Sequence, residues 1–545
     1  MAMIKNEPAA HYVLGNDIDM SLSPAKWQPV ENFEGTLDGK GYSISNLIID
    51  TDASNAALFG MTGTEAAITN LNLVRPQMKM NDNNWYASFL SASAMQTTFD
   101  NIHIYDATVE GESTASFGSI VCEATLNSTI SSSSVNNLTI DTPNAQIVGG
   151  IVGETRTGAS VSAVKVTGNI DAMGEIGGIA GRTGTDSKIS NSYVDVNLTG
   201  STDIGGIVGF SSRGLISNCF AMGTIKADGT LSEWSTNINV GGIAGGIESS
   251  WPAMNPDGTT TEDPDPAKVI SGCVAAQSEI SVTDGATAAH RIIGFTIADE
   301  QYYEGETPYE EKGLDANYAL PSANINSVAP ADGATNNPDG ESVETSALSK
   351  AFFEKIGFAW GDAAEKPWKE GAPMPVLYFE ENAVVVTLDR YSVSVAENET
   401  VKIKATVYGA ELNAVEFVSS DSEIATVDSK STDTENNTVE ATVSVIKIGN
   451  AEISVKIGEK TYAVCMIQGV ASVKSIADNA PEIHLEGNNV VAEGAANMTI
   501  FNMQGVRMAS ADSDRISVDT LAKGAYIAVA TMNDGNHTAT KIIVR

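Results

Sequence analysis

The sequence predicts an all-β chain, a right-handed parallel β-helix followed by two β-sandwiches. Three observations carry this. A small-residue signature recurs at Gly149-Gly150-Ile151-Val152-Gly153, Gly177-Gly178-Ile179-Ala180-Gly181, Gly205-Gly206-Ile207-Val208-Gly209 and Gly241-Gly242-Ile243-Ala244-Gly245. Its starts lie 28, 28 and 36 residues apart, a period at which one supersecondary unit must stack on the next to bury its apolar side. Each signature is followed by a common frame, Val161-Ser162-Ala163, Ile189-Ser190-Asn191, Ile216-Ser217-Asn218 and Ile270-Ser271-Gly272. Apolar or small residues alternate there with polar ones, the period of strands. Beyond Val384, strand-like segments recur at short, regular intervals without helical periodicity.

The first module opens with Tyr12 to Asp19, Trp27 to Val30 and Phe33 to Gly41, short strands punctuated by Asp-Gly and Gly turns. Ile44-Ser45-Asn46 and Ile68-Thr69-Asn70 already follow the later frame, and Phe59-Gly60 and Phe117-Gly118 are reduced forms of the glycine signature. In a parallel β-helix, equivalent residues of adjacent coils sit about 4.8 Å apart. Glycine is then required at corners where a Cβ would strike the neighbouring backbone. Counting three residues on from the first apolar residue of each frame puts Val164, Ser192, Cys219 and Cys273 in one column. Cys219 and Cys273 are therefore expected as rung neighbours, compatible with a disulfide and equally with two buried thiols, the preferred reading. An insertion at 249–266, rich in Pro and acids, projects as a loop. Residues 302–346 are acidic and turn-rich, and Ala347 to Phe379, opening with a short amphipathic helix, reads as a cap over the exposed last rung.

The second module holds seven alternating strands between Val384 and Val455, as expected of an immunoglobulin-like sandwich. The third, from Ala471 to Arg545, is again all-β. The predicted domains are thus 10–380, 384–470 and 471–545. Removing the last two is expected to leave the β-helix folded, because solenoid stability sums near-neighbour terms.

The net charge of −38 is uneven, with −30 on residues 1–383 and −8 beyond. So acidic a surface repels phosphate, which argues against nucleic acid and anionic lipid as partners. Cys122, Cys219, Cys273 and Cys465 form neither a disulfide framework nor a zinc motif. No run of about 18 apolar residues offers a membrane span, and the opening Met1 to Asn6 lacks an apolar signal core. If the protein is exported, the chain is expected to begin after a removed signal.

The glycine signatures, together with Asp17 to Asp19, Trp27, Phe33 to Gly35, Leu37 to Gly39 and the closing Phe352 to Trp360 and Pro373 to Leu377, resemble GLUG-motif repeat proteins of bacterial surfaces. Residues 384–470 resemble a group-2 bacterial immunoglobulin-like domain through Ser419 to Val427 and Gly449 to Ile453, with Phe417 near the place where that family usually has Trp. Ile500 to Gly505, Ile516 to Ile527 and Lys541 to Arg545 resemble the C-terminal sorting domain of type IX secretion cargo. These resemblances imply export to the outer surface of a Gram-negative bacterium and an adhesin-type role.

β-Helices also carry polysaccharide lyases and glycosidases, whose chemistry needs rows of catalytic side chains. Hydrolysis needs two carboxylates facing one cleft, and lyase chemistry a base beside a cation. The regular rungs 148–245 show few acids or bases aligned on consecutive turns, so no catalytic row is expected. The five histidines are isolated, and no nucleophile elbow or phosphate loop stands in the right context. Asp17 and Asp19 either bind Ca²⁺ or cap a corner, capping being the simpler reading. The acidic loops 257–265 and 299–311 lack a fixed Ca²⁺-loop frame. Trp251, Trp85 and Tyr86 are the candidate ligand-binding residues: a ring face near acids suits a sugar, although a lid on the apolar flank is the plainer role. The expectation is a secreted, non-catalytic, cofactor-free surface protein that recognises glycan or an extracellular surface protein through β-helix loops. A glycan-active enzyme and a structural surface-layer component are the alternatives.

Overall fold

The structure, a computed structural model, describes residues 2–22, 26–212, 214–228, 237–248, 269–283, 288–296, 313–380, 384–470, 482–502, 506–533 and 537–544. It divides into two compact units, one of Met1–Asp389, Ala405–Ala414 and Thr432–Val439, the other of Arg390–Lys404, Val415–Ser431 and Glu440–Arg545.

The first unit is built on a parallel β-helix. Its coils contribute to an eight-stranded sheet (sheet 1, from Asn55–Ala56 to Ala288–His290), a nine-stranded sheet (sheet 2, from Val30–Phe33 to Ile293–Thr296) and a 21-stranded sheet (sheet 3). The glycine signature is the fold between sheets 1 and 2. A Cβ on Gly150 would lie 2.2 Å from the Gly178 carbonyl oxygen inside the coil, and one on Gly181 2.7 Å from Ile147 Cγ2 outside it. The interior is a continuous apolar column in which Phe33 stacks on Phe59 at 4.4 Å and Phe89 meets Phe117 edge-on at 5.5 Å. Fully burying each such side chain contributes about 1.5–3 kcal/mol.

The third residue of the Ile-Ser-Asn frame is a corner: the strand stops before it at Ser190 and Ser217 and bends through it in Ala67–Val74 and Ser160–Ala172. Asn70, Asn101, Asn191 and Asn218 all have φ between 51° and 57°, as do Ala163 and Ala316. Asparagine tolerates this left-handed conformation best among residues with a side chain, which is why it recurs. The next residue of each coil points inward, giving the column Leu71, Ile102, Ser133, Val164, Ser192, Cys219, Cys273 and Asn317. The predicted cysteine register is therefore correct. Both thiols are free and buried, and burial holds the Cys219 thiol well above its ordinary range. Polar members of this column satisfy neighbouring backbone: Val164 N donates to Ser192 Oγ (3.1 Å) and Cys273 N to Asn317 Oδ1 (3.1 Å).

The segment expected to close the open end lies elsewhere. One residue after the inward column, the outward side chains Tyr193, Phe220, Val274 and Tyr318 stack along the flank of sheet 3. Residues 347–379 pack over this apolar stripe, with Trp368 fully buried and its ring 5.6 Å from Phe220 and 4.7 Å from Phe358. Its helix, Lys350–Lys355, is capped by the Ser349 side chain. Just past it, Glu380 accepts from Lys165 Nζ (2.6 Å), Tyr193 OH (2.8 Å) and Leu377 N (2.7 Å). It is a lateral strap, because four large outward side chains on consecutive coils need cover more than the last rung does. The rung end is met by residues 314–343 around Arg291, which is 1% exposed. Arg291 donates to Asp339 O, Asn324 Oδ1, Ser342 Oγ and Gly340 O at 2.8–3.1 Å. Also within this unit, Tyr408 stacks on Tyr105 at 4.4 Å between ring centroids and donates to the Asp106 carboxylate.

Beyond the solenoid stand two four-stranded sheets, one of Val385–Leu388, Thr400–Tyr408, Thr438–Val445 and Ala425–Asp433, the other of Ser392–Ala396, Lys460–Val470, Gly449–Ile457 and Val415–Ser419. The strand Lys460–Val470 adds to the seven expected. It follows a tight turn at Gly458, where φ is +60°, and pairs in parallel with Ser392–Ala396. In the second unit, residues 484–544 form a three-stranded and a four-stranded sheet around a core that includes Met498, Ile500 and Tyr526. No helix among the described residues is long and apolar enough to cross a membrane.

Candidate functional site

Of the predicted ligand-binding residues, Trp85 is 71% exposed. Tyr86 begins the strand Tyr86–Ala87 of sheet 1, half-buried. Trp251 and the loops 257–265 and 299–311 lie outside the described residues. Asp17 Oδ1 accepts from Ser43 N (2.7 Å), and Asp19 Oδ1 from Ser21 N (3.0 Å) and Asn46 Nδ2 (2.8 Å). Both tie coil corners. Among the described residues no three His, Cys, Asp or Glu side chains are grouped to hold a metal ion.

Tyr86 belongs to a cleft that apolar periodicity does not reveal. On the outer face of sheet 2, Ser93, Glu123, Glu154, Arg182 and Phe210 stand in register on consecutive coils. On the outer face of sheet 1, Tyr86 is followed by Ser116, Ile147, Glu175, Asp203 and Asn239. The glycine corners fold these two faces toward each other, so the columns share one cleft. The expectation that few acids or bases align on consecutive turns is thereby corrected. The signal was present: the first column is the residue just after the last glycine of each signature, and the second stands two before its first glycine. Apolar periodicity marks only inward positions, and these point out.

Arg182 pairs with both carboxylate oxygens of Glu175, its Nε at 2.5 Å from Oε2, and its guanidinium lies 5.9 Å from the Phe210 ring centroid. Arg156 Nη2 donates to Glu154 Oε2 (2.6 Å), with Nη1 3.4 Å from Glu123, to which Ser93 Oγ also donates. Asn239 Nδ2 donates to Asp203 Oδ1 (2.6 Å). Phe210 and Asp203 pack close against Gly246, where a Cβ would lie 2.9 Å from Phe210 Cδ2 and 3.3 Å from Asp203 Oδ1. Burial raises the Glu175 carboxyl despite Arg182, and raises that of Asp203 to about 6 against the opposing effects of Asn239 and Arg182. Burial and then the Glu123 charge push the Tyr86 phenol up. Four carboxylates thus face two guanidinium groups between two aromatic rings. Acceptors exceed donors, a setting for hydroxyl- or amine-bearing ligands.

No family model matches the sequence. The chain is 29% identical over 167 residues to Halomucin of Haloquadratum walsbyi, a match covering 29% of this chain and 2% of that protein. Among solved structures, an IgA1 protease aligns with 45% of this chain and 20% of its own at 18% identity and a TM-score of 0.31. The Yersinia pseudotuberculosis adhesin InvE aligns with 29% of this chain and 58% of its own, at 12% identity and a TM-score of 0.14. Domains 5-6 of the S-layer protein SbsC align with 29% and 95% at 16% identity, with the same TM-score of 0.14. These partial likenesses assign no function.

Proposed function

We propose that this chain is a secreted, non-catalytic recognition protein of a bacterial surface, of adhesin type, and that it binds glycan through the outer cleft between sheets 1 and 2. The observation that carries the reading is the in-register row Glu123, Glu154, Arg182 and Phe210 facing Tyr86, Glu175, Asp203 and Asn239. Rings beside fixed hydrogen-bonding groups on a rigid scaffold suit a polyhydroxylated ligand. The resemblances to GLUG-repeat, group-2 immunoglobulin-like and type IX sorting sequences support an outer-surface location in a Gram-negative bacterium. Trp85, exposed and next to Tyr86 in the chain, is a further ring that a ligand could reach. A glycan and matrix-protein array tests the reading. Capture of a glycan by the full chain, weakened at least tenfold by Arg182→Ala, supports it, whereas capture that survives this change moves the site elsewhere.

A second reading has its own observation. Glu175 and Asp203 stand on adjacent coils, about 4.8 Å apart at Cα, one held by a guanidinium and the other raised to about 6. Unequal neighbouring carboxyls are what glycoside hydrolysis uses. Release of reducing ends or unsaturated uronates from a polysaccharide panel, lost in Asp203→Asn, would replace the binding reading with this one.

A further inference from the structure

Resting on the glycan reading above, we infer that the end of the cleft where Asp203, Asn239 and Phe210 meet is a subsite for the ammonium group of an unacetylated hexosamine. Asn239 is 5% exposed, and its amide nitrogen is committed to Asp203. Its Oδ1 is buried with no hydrogen-bond partner, a state that is costly unless a donor arrives. Turning the amide over would set a carbonyl oxygen against a carboxylate oxygen, tolerable only with a proton between them. Either way the pair lacks one donor.

The charge balance points the same way. Both Glu175 oxygens are taken by Arg182. Among the described residues no cation forms an ion pair with Asp203, whose charged neighbours are Arg182 and Glu175. An ammonium carries three N–H donors and one charge, so one group satisfies Asn239 Oδ1 and the Asp203 carboxylate together. The Phe210 ring, 5.9 Å from the Arg182 guanidinium, forms an apolar wall at this end of the cleft, and a Cβ on Gly246 would lie 2.9 Å from it and 3.3 Å from Asp203 Oδ1, so any side chain there displaces the ring or crowds the carboxylate. A hexosamine also bears hydroxyls on the carbons flanking its amine, which the neighbouring Arg182 and Glu175 can engage, whereas a lysine side chain bears none. Binding a cation favours the ionised carboxylate, so affinity should fall as Asp203 protonates below about 6, and fall again above neutral pH as the sugar's amine, made less basic than a lysine's by its flanking oxygens, loses its proton.

Calorimetric titration of the full chain at pH 6.5, where the sugar amine is protonated and Asp203 largely ionised, with a β-1,4-linked glucosamine trimer tests this, beside its N-acetylated counterpart, a blocked lysine amide and calcium chloride. The expected result is binding of the glucosamine trimer alone, weakened at least tenfold by Asp203→Asn and by the charge-neutral Gly246→Ala. Glu110→Gln, which removes an equal charge from sheet 3, should leave it unchanged. Equal loss in Glu110→Gln would mean diffuse attraction to an acidic chain and overturn the subsite. Equal binding of the N-acetylated trimer, the lysine amide or Ca²⁺ overturns the hexosamine assignment. If no amine ligand binds while the array still shows glycan capture sensitive to Arg182→Ala, the subsite falls and the glycan reading stands. If both fail, both fall.

Discussion

The two flanks of this solenoid share one backbone periodicity and differ only in what points outward. Along sheet 3 the outward column runs from Asn72, His103, Ser134 and Lys165 to Tyr193, Phe220, Val274 and Tyr318. Its apolar half is covered by residues 347–379 and becomes a second core. Along sheets 1 and 2 the outward columns carry Glu, Asp, Arg and Asn, and they stay a cleft. A β-helix therefore decides between packing and recognition coil by coil, through the side chains that its own interior does not use.

The largest expected effect that sharpens this contrast is on the strap. Trp368→Ala removes a fully buried ring and should cost about 3–5 kcal/mol, read as a drop in the urea midpoint with glycan capture unchanged. Arg291→Ala should cost a similar amount, about 3–5 kcal/mol, because the carbonyl oxygens of Asp339 and Gly340, Asn324 Oδ1 and Ser342 Oγ all lose their donor. In Arg291→Lys a single ammonium replaces the fork and recovers only part of that.

On the cleft side the stability effects shrink while the binding effects grow. Arg182→Ala leaves Glu175 unpaired, and with the guanidinium partly exposed the cost should be about 1–3 kcal/mol, accompanied by loss of capture. Asp203 contributes with the opposite sign. Its folded value of about 6 lies above the ordinary 3.8, so the folded state binds the proton more tightly than the unfolded one. Its ionisation weakens the fold increasingly as pH rises from about 4 through about 6, and that penalty is relieved on acidification. Asp203→Asn should therefore match the parent near pH 4 and exceed it in thermal midpoint at pH 7.5. A lower midpoint at pH 7.5 would show that the carboxylate is stabilised there. The smallest effect belongs to Trp85→Ala, within about 0.5 kcal/mol for so exposed a ring. If Trp85→Ala reduces capture more than Tyr86→Ala does, the ligand sits at the loop rather than inside the cleft.

Much of the architecture was legible in the chain itself. The spacing of the glycine signatures sets the coil, and the frame after each one places Val164, Ser192, Cys219 and Cys273 in a single buried column. These are local matters, since a corner needs glycine or a left-handed asparagine whatever lies far away. Tyr86 was legible as a ring near acids, but Glu175, Asp203, Arg182 and Asn239 were not, because their two columns sit on different sheets and become neighbours only when the glycine corner folds one outer face onto the other.

The sequence by itself determined the repeat, the inward columns and the all-β character, because each follows from strand periodicity and from steric limits at a corner. Only the tertiary structure decided that residues 347–379 lie along a flank instead of over an end, and that charged columns converge into a cleft. Both depend on which outward surfaces meet across long stretches of chain, and the free energy of such meetings resides in pairs of residues that no local pattern connects.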